Sequence, residues 1–335
     1  MKKPFLVITS IADEKNLILN QYAFECKNQG IPFILIGDTK SPNEFYIDGV
    51  DYYSIEKQCL LDLKLPLKTP VKHYSRKNIG YLISIMKGAE IIIETDDDNL
   101  PYNSFWDDRF VEVKANTIKH EGWVNVYKYF IGSNIWPRGF PLQNVLDELQ
   151  ELKIEEKVHC PIQQGLADDN PDVDAIYRMV LPLPIKFNTR SPIALSDSAM
   201  CPFNSQNTTW FKEAFPLLYL PSFCSFRMTD IWRSFVAQRI AWTCGWSILF
   251  HKSSVYQIRN EHSIIKDFED EISGYLYNKK IMDSLMNLEL KNGVENIYTN
   301  MFLCYKELVK IGVMPLDELD LLELWINDLK NLNNE

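Results

Sequence analysis

The first hundred residues alternate two kinds of segment, and that alternation limits the folds open to the chain. "PFLVITS" (4–10), "PFILIGD" (32–38) and "EIIIET" (90–95) are short and almost continuously apolar. Strands of this kind are covered on both faces, as in a parallel sheet with helices on either side. Between them, "DEKNLILNQYAFECKNQG" (13–30) and "SRKNIGYLISIMKGA" (75–89) carry helical spacing, with Gly30 and Gly88 as stops. "VDYYSI" (50–55) reads as a short third strand. In such sheets ligands bind beyond the carboxyl ends of the strands, which puts Thr9 to Asp13, Asp38 and Asp96 to Asp98 on one rim.

The remainder is less regular. "RFVEVK" (109–114), "WVNVYKYF" (123–130) and "DAIYRMV" (174–180) read as short strands among loops rich in Pro, Asn and Asp. Thr229 is expected to cap a helix over "DIWRSFVAQRIAW" (230–242), followed by the strand "SILFHKSSVYQ" (247–257). From 263 onward the spacing is helical, so the expected division is a ligand-binding domain over 1–262 and a helical extension over 263–335. Leu321, Leu322 and Trp325 in that extension read as exposed, which suggests a homo-oligomer.

Composition narrows the function. The net charge of -10 disfavours a nucleic-acid surface. Seven cysteines without a CxxC pair read as reduced, mostly buried thiols and argue against zinc. No segment approaches the ~20 apolar residues that span a bilayer, so a soluble, cytoplasmic protein is expected.

The chemistry concentrates in "IIIETDDDNLP" (91–101). A buried strand there delivers Asp96, Asp97 and Asp98 to one place, about three negative charges within roughly 10 Å. Such a cluster repels itself unless a cation sits on it. It is either a solvated acidic turn or a seat for a hard divalent cation, which prefers one or two carboxylates together with diphosphate oxygens. Arg76, Lys77 and Asn78 open the preceding helix, where a helix N-terminus and two cations suit a diphosphate. Asp230 is either a first-turn carboxylate or a base for an acceptor hydroxyl. His251, near the end of its strand, is either structural or a neutral imidazole completing a metal shell. Arg138, in the Pro/Gly-bracketed "IWPRGFPL" (135–142), is stiffly presented to a phosphate or carboxylate.

Three blocks, "RKNIGYLISIMKGAEIIIETDDDN", "RMTDIWRSFVAQRIAW" and "YQIRNEHSIIKDFEDEISGY", resemble the STELLO-type glycosyltransferases over roughly residues 1–280. More distantly, "WPRGFPL", "GLADDNPDVDAIYR" and "RMTDIW" are similar to the reversibly glycosylated polypeptides, which act as UDP-arabinose mutases. The resemblance implies a GT-A fold, a Rossmann-like α/β sheet that binds a nucleotide-sugar through a DxD motif with Mn²⁺ or Mg²⁺. It implies Asp96 and Asp98 as the outer carboxylates, with Asp98 on the metal, Asp96 reaching the ribose or sugar, and Asp97 sharing either role. It also implies Thr9 and Asp38 at the nucleoside, His251 as a late metal ligand and Asp230 near the base. Arg138 matches an arginine associated with self-glycosylation in the mutase-like relatives.

The resulting expectation is a metal-dependent enzyme moving a sugar from a nucleotide-sugar, a UDP-sugar by preference, to a glycan or lipid-linked glycan acceptor. Its Lys-, Asn- and Ile-rich composition suggests bacterial surface-polysaccharide synthesis, with peripheral membrane association. A nucleotide-sugar mutase and a non-catalytic scaffold for glycan-building enzymes are the alternatives.

Overall fold

The protein's structure, a computed structural model, describes residues 3–196, 198–259 and 263–333. Its N-terminal part builds as the alternation predicts. In chain order it holds β1 (Pro4–Thr9), α1 (Leu17–Gln29), β2 (Phe33–Ile36), β3 (Val50–Tyr53), α2 (Ile55–Cys59), α3 (Lys77–Met86) and β4 (Ile91–Thr95). The strands lie in the order β3-β2-β1-β4, all parallel. Asn16 starts α1 by accepting from the Ile18 and Leu19 amides at 2.9 Å, and Gly30 ends it at φ +66°. Asp13 and Glu14 therefore precede the helix. α3 settles closely on the sheet at Gly80, where a Cβ would come within 2.6 Å of Val7 and 2.9 Å of Ile36.

The second part adds β5 (Asn99–Pro101), β6 (Glu112–Lys119), β7 (Gly122–Trp123), α4 (Val126–Ile131), β8 (Glu156–His159) and β9 (Ile162–Asp168). It continues with α5 (Ala175–Val180), β10 (Ile193–Ser196), β11 (Ala199–Met200), β12 (Asn207–Phe211), α6 (Thr229–Thr243) and β13 (Ile248–Gln257). The sheet extends from β4 through β12, β9, β13, β10 and β6 to β8, while β5 pairs with β13. β12 runs antiparallel to both β4 and β9, and β13 returns parallel to β9. Strands β1–β4, β8, β9 and β13 share one direction; β5, β6, β10 and β12 oppose them. This is a mixed α/β fold with a mostly parallel central sheet, compatible with the expected GT-A architecture.

Two expected strands are helices. "WVNVYKYF" keeps only β7 and then forms α4, burying Val126, Tyr127 and Phe130 and ending at Gly132 with φ +72°. "DAIYRMV" forms α5, started by Asp174, whose side chain accepts from the Tyr177 amide at 2.7 Å. Thr229 is the first residue of α6 rather than its cap.

One buried ion pair ties the sheet to α6. Glu94 of β4 is 0% exposed and receives two bonds from Arg233, Nη2 to Oε1 at 2.7 Å and Nη1 to Oε2 at 3.1 Å. Trp210 Nε1 of β12 donates to the same carboxylate at 2.8 Å, and Tyr81 of α3 donates its hydroxyl. A buried carboxylate without such partners would cost several kcal/mol, which explains why an acid can stand inside a strand covered on both faces.

The C-terminal stretch forms α7 (Ile264–Met286), α8 (Ile297–Lys310) and α9 (Asp317–Asn333). Their apolar sides share one continuous core with α3, α6 and the sheet. Leu321, Leu322 and Trp325 are therefore not an exposed face: they are buried inside the protein, and Trp325 Nε1 donates to the Pro216 carbonyl at 2.9 Å. Two acids of α9 hold loops of the main body. Asp328 accepts from the Lys64 and Leu65 amides, and Glu318 accepts from the Ser222 and Phe223 amides at 3.0 and 2.7 Å. All seven cysteines are unpaired, and only Cys59 is fully exposed. No helix among the described residues is long and apolar enough to cross a membrane.

Because Trp325 fills the core, Trp325→Ala should destabilise the protein by about 3–5 kcal/mol. Denaturant unfolding measures this. A changed oligomeric state with unchanged stability would instead mark α9 as a surface element.

Candidate active site

One cleft opens at the carboxyl ends of β1, β2 and β4, where the alternation predicts a ligand. Thr9, Asp38, Arg76, Asp96, Asp97, Asp98, Arg138 and Asp230 all line it. Ser10, within the expected Thr9–Asp13 rim, lines it too, and residues that the sequence reading passed over complete it, notably Lys72, His73, Tyr74, Ser205, Arg227, Gln257 and Arg259.

The cation under the aspartates is Lys77. Its side chain is 0% exposed, and Nζ donates to Asp96 Oδ1 at 3.1 Å, the Thr95 carbonyl at 2.8 Å and the Tyr74 hydroxyl at 2.7 Å. Tyr74 in turn donates to Asp96 at 2.7 Å. The first turn of α3 thus faces inward, and its residues do not form a free anion seat. Arg76 donates to Gln58 Oε1 and the Thr69 carbonyl. Asn78 is not in the cleft; it exchanges two 2.8 Å bonds with the backbone of Leu220. Its expected contact with a ligand is thereby corrected, because both ends of the amide are used to hold a loop.

The three aspartates differ. Asp97 accepts from the Ser10 hydroxyl, and burial still raises its carboxyl above the usual range. Asp98 accepts from Gln257 Nε2 at 2.9 Å, yet burial, followed by the neighbouring charge of Asp96, pushes it up to about 7. Lys77 bonds Asp96, and the cation acting on Asp98 is Arg259, whose effect is smaller than that of burial and of Asp96, so Asp98 stands at the rim under-compensated. Asp38 shapes the cleft wall at the β2 end, since its carboxylate accepts from the Lys72 amide at 2.8 Å and the His73 amide at 3.0 Å.

At the other end Arg138 makes a double fork. It reaches Asp172 through Nε and Nη2, both at 2.8 Å, and Asp230 through Nη1 and Nη2 at 3.0 and 2.9 Å. Nη1 also donates to the Arg227 carbonyl. Of the two expected partners, a phosphate or a carboxylate, the guanidinium meets carboxylates, those of Asp172 and Asp230. Burial alone would raise the Asp230 carboxyl, but Arg138 outweighs it and holds Asp230 at about 2. A carboxylate so stabilised is a weaker proton acceptor than a free one, and it stands in the cleft wall.

His251 is also displaced from its expected role. It lies on β13 opposite Gly165, six residues from Gln257, or about 20 Å of strand. Burial lowers its imidazole to about 4, and Nδ1 meets the Lys252 carbonyl at 2.9 Å. The β13 residue that reaches Asp98 is Gln257. Among the described residues no group of three or more His, Cys, Asp or Glu side chains is poised to hold a metal by itself. The donor set still suits a hard cation, since Asp98 presents carboxylate oxygens at a solvent-accessible rim and such ions take their remaining ligands from substrate and water.

A carboxyl raised from about 4 to about 7 weakens the native state progressively as pH climbs between those values. In metal-free protein, Asp98→Asn should therefore add little stability at pH 4–5 and raise the melting temperature by roughly 2 °C or more at pH 8. A gain that does not change with pH would contradict this environment for Asp98.

Residues 227–335 match the family model for STELLO glycosyltransferases. The chain is 29% identical over 252 residues to a probable glycosyltransferase, STELLO2 of Arabidopsis thaliana, covering 69% of this chain and 33% of that protein. It is 30% identical over 240 residues to STELLO1 of the same plant, covering 65% and 31%. The chain thus spans about a third of the length of the curated relatives it matches. A solved structure titled "Crystal Structure of a Mycobacterial Protein" is similar at a TM-score of 0.43 and 9% identity, over 83% of this chain and 74% of that one, too slight to carry an argument. Of the third block that carried the resemblance, residues 260–262 lie outside the described residues. The family-model match and both plant relatives thus make the chain similar to the STELLO-type glycosyltransferases.

Proposed function

We propose that the protein is a metal-dependent glycosyltransferase that moves a sugar from a nucleotide-sugar, a UDP-sugar in the first instance, to a hydroxyl of a glycan acceptor. The observation that carries this reading is the under-compensated Asp98 at the carboxyl end of β4, inside the same cleft as the β1 and β2 ends. Kinship with STELLO glycosyltransferases supports the reaction class.

The cleft residues divide the work by position. Thr9, Ser10, Asp38 and His73 form the end suited to the nucleoside, with the Asp38 carboxylate stiffening the wall through the Lys72 and His73 amides. Asp98, with Asp96 behind it, would hold Mn²⁺ or Mg²⁺ against the donor diphosphate. When bound, that cation supplies neutralisation of the charge developing on the departing nucleotide. Lys77 fixes the Asp96 side chain from below, while each Asp98 oxygen takes one amide donor, Asn99 at 3.2 Å and Gln257 at 2.9 Å, and keeps a lone pair for a cation. Asp230 and Asp172 keep Arg138 stationary and form a rigid floor at the sugar end. A glycan or lipid-linked acceptor would enter from the Arg227 and Arg259 side. A bacterial surface polysaccharide is the proposed destination.

Release of UDP from a panel of UDP-sugars, with acceptor glycans and Mn²⁺, tests the reading. Asp98→Asn should reduce turnover at least about 100-fold, the scale expected for losing one charge-stabilising group at a reacting centre, while remaining folded. Normal transfer by that variant would place the chemistry elsewhere.

A further inference from the structure

The sugar end of the cleft carries a feature that transfer of a neutral sugar does not require. Arg227 and Arg259 both line it beside Asp98 and Gln257. Each is held from behind by one acid of α7. Arg227 donates through Nε and Nη2 to Glu271 at 3.0 and 2.7 Å, and Arg259 donates through Nη2 to Asp267. The two acids are four residues apart and so project from one face of the helix. Glu271 is 0% exposed at its side chain and Asp267 8%, whereas both arginines are 14% exposed. The carboxylates therefore lie on the protein side and the guanidiniums on the cleft side. The remaining guanidinium nitrogens of Arg227 and Arg259 have no acceptor among the described residues.

A third guanidinium stands close by. Arg178 donates through Nη2 to the Pro171 carbonyl at 2.7 Å, and its buried Nε has no partner among the described residues. Burial, and then the charge of Arg259, lowers Arg178 to about 10; burial, and then the charge of Arg227, lowers Arg259 as well. Glu271 and Asp267 balance Arg227 and Arg259, and Arg178 adds a further positive charge to the group, which favours an anion on the cleft side. Phe226, 55% exposed and also lining the cleft, adds an apolar face next to these cations. A flat apolar face beside a guanidinium pair suits a sugar ring bearing an acid group.

We infer that Arg227 and Arg259 form a subsite for a carboxylate or phosphate on the transferred sugar or on its acceptor, separate from the nucleotide diphosphate. The inference rests on the nucleotide-sugar reading above and narrows it to acidic sugars or sugar phosphates. The diphosphate is assigned to the aspartate side. Arg227 and Arg259 then act at the reacting end, where each supplies a fork matched to a two-oxygen anion.

Removing one arginine alone would change the local charge balance, so the test uses the charge-neutral pair Arg259→Gln with Asp267→Asn. Titration calorimetry with Mn²⁺ compares UDP, UDP-glucose and UDP-glucuronic acid. A second arm titrates glucuronate and glucose 6-phosphate into UDP-loaded protein. An acidic donor is supported if wild type favours UDP-glucuronic acid over UDP-glucose by about tenfold and the double variant loses that preference with UDP affinity unchanged. An acidic acceptor is supported if glucuronate or glucose 6-phosphate binds UDP-loaded wild type and not the variant. The inference is overturned if neither preference appears, or if the variant weakens UDP as much as the UDP-sugars, which would assign the arginines to the diphosphate. Failure of UDP itself to bind wild type would overturn the nucleotide-sugar reading and this inference together.

Discussion

Glu94 and Arg233 meet in the middle of the molecule, out of water, with Tyr81 and Trp210 completing the carboxylate's hydrogen bonds. Much of the cleft follows from that contact. Glu94 lies two residues before Asp96 on β4, and Arg233 lies one helical turn after Asp230 on α6. Joining them fixes how far the aspartate rim stands from the Arg138 floor. Breaking one side would leave an uncompensated charge in the core, at a typical cost of 3–5 kcal/mol. The pair is thus a demanding way to align two elements, and it tolerates little displacement of either.

The cleft itself is a set of charges arranged in tiers. Lys77 supports Asp96 from beneath, Arg138 is divided between Asp172 and Asp230, and α7 supports Arg227 and Arg259 from behind. In the first and third of these the charge nearer the ligand space is held by a more deeply buried partner. Such preorganisation lets the site meet developing charge without reorienting when a ligand reacts. The C-terminal helices belong to this arrangement: α7 carries the acids behind the arginines, and α9 anchors the loops at Lys64–Leu65 and Ser222–Phe223.

The parallel half of the fold was legible because its strands are continuous apolar runs and its helices carry clear stops at Gly30 and Gly88. The rim of Thr9, Asp38 and Asp96–Asp98 followed from topology. Misreadings came from short elements and from side chains whose partners are distant in sequence. α4 and α5 are six residues each, too short for a helical period to stand out against β-branched and aromatic residues. Asp174 was the usable signal for α5, as a helix-starting acid. Asn78 looked like a ligand group beside the aspartates, but its partner, Leu220, is defined only by tertiary structure. His251 was placed by analogy. Gln257 and Arg259, two apart as β13 ends, share a side of the strand and could have been found from its alternation. The tail looked exposed because amphipathic spacing reveals an apolar face without saying what covers it.

The central claim is that a divalent cation and a nucleotide diphosphate meet at Asp98. A crystal grown with Mn²⁺ and UDP, measured at a wavelength where manganese scatters anomalously, tests it most directly. The account predicts an anomalous peak at metal–oxygen distance from the Asp98 carboxylate, with diphosphate oxygens on the same ion and the nucleoside towards Thr9 and Asp38. A peak elsewhere, or UDP bound in the cleft with no ion at Asp98, would contradict it.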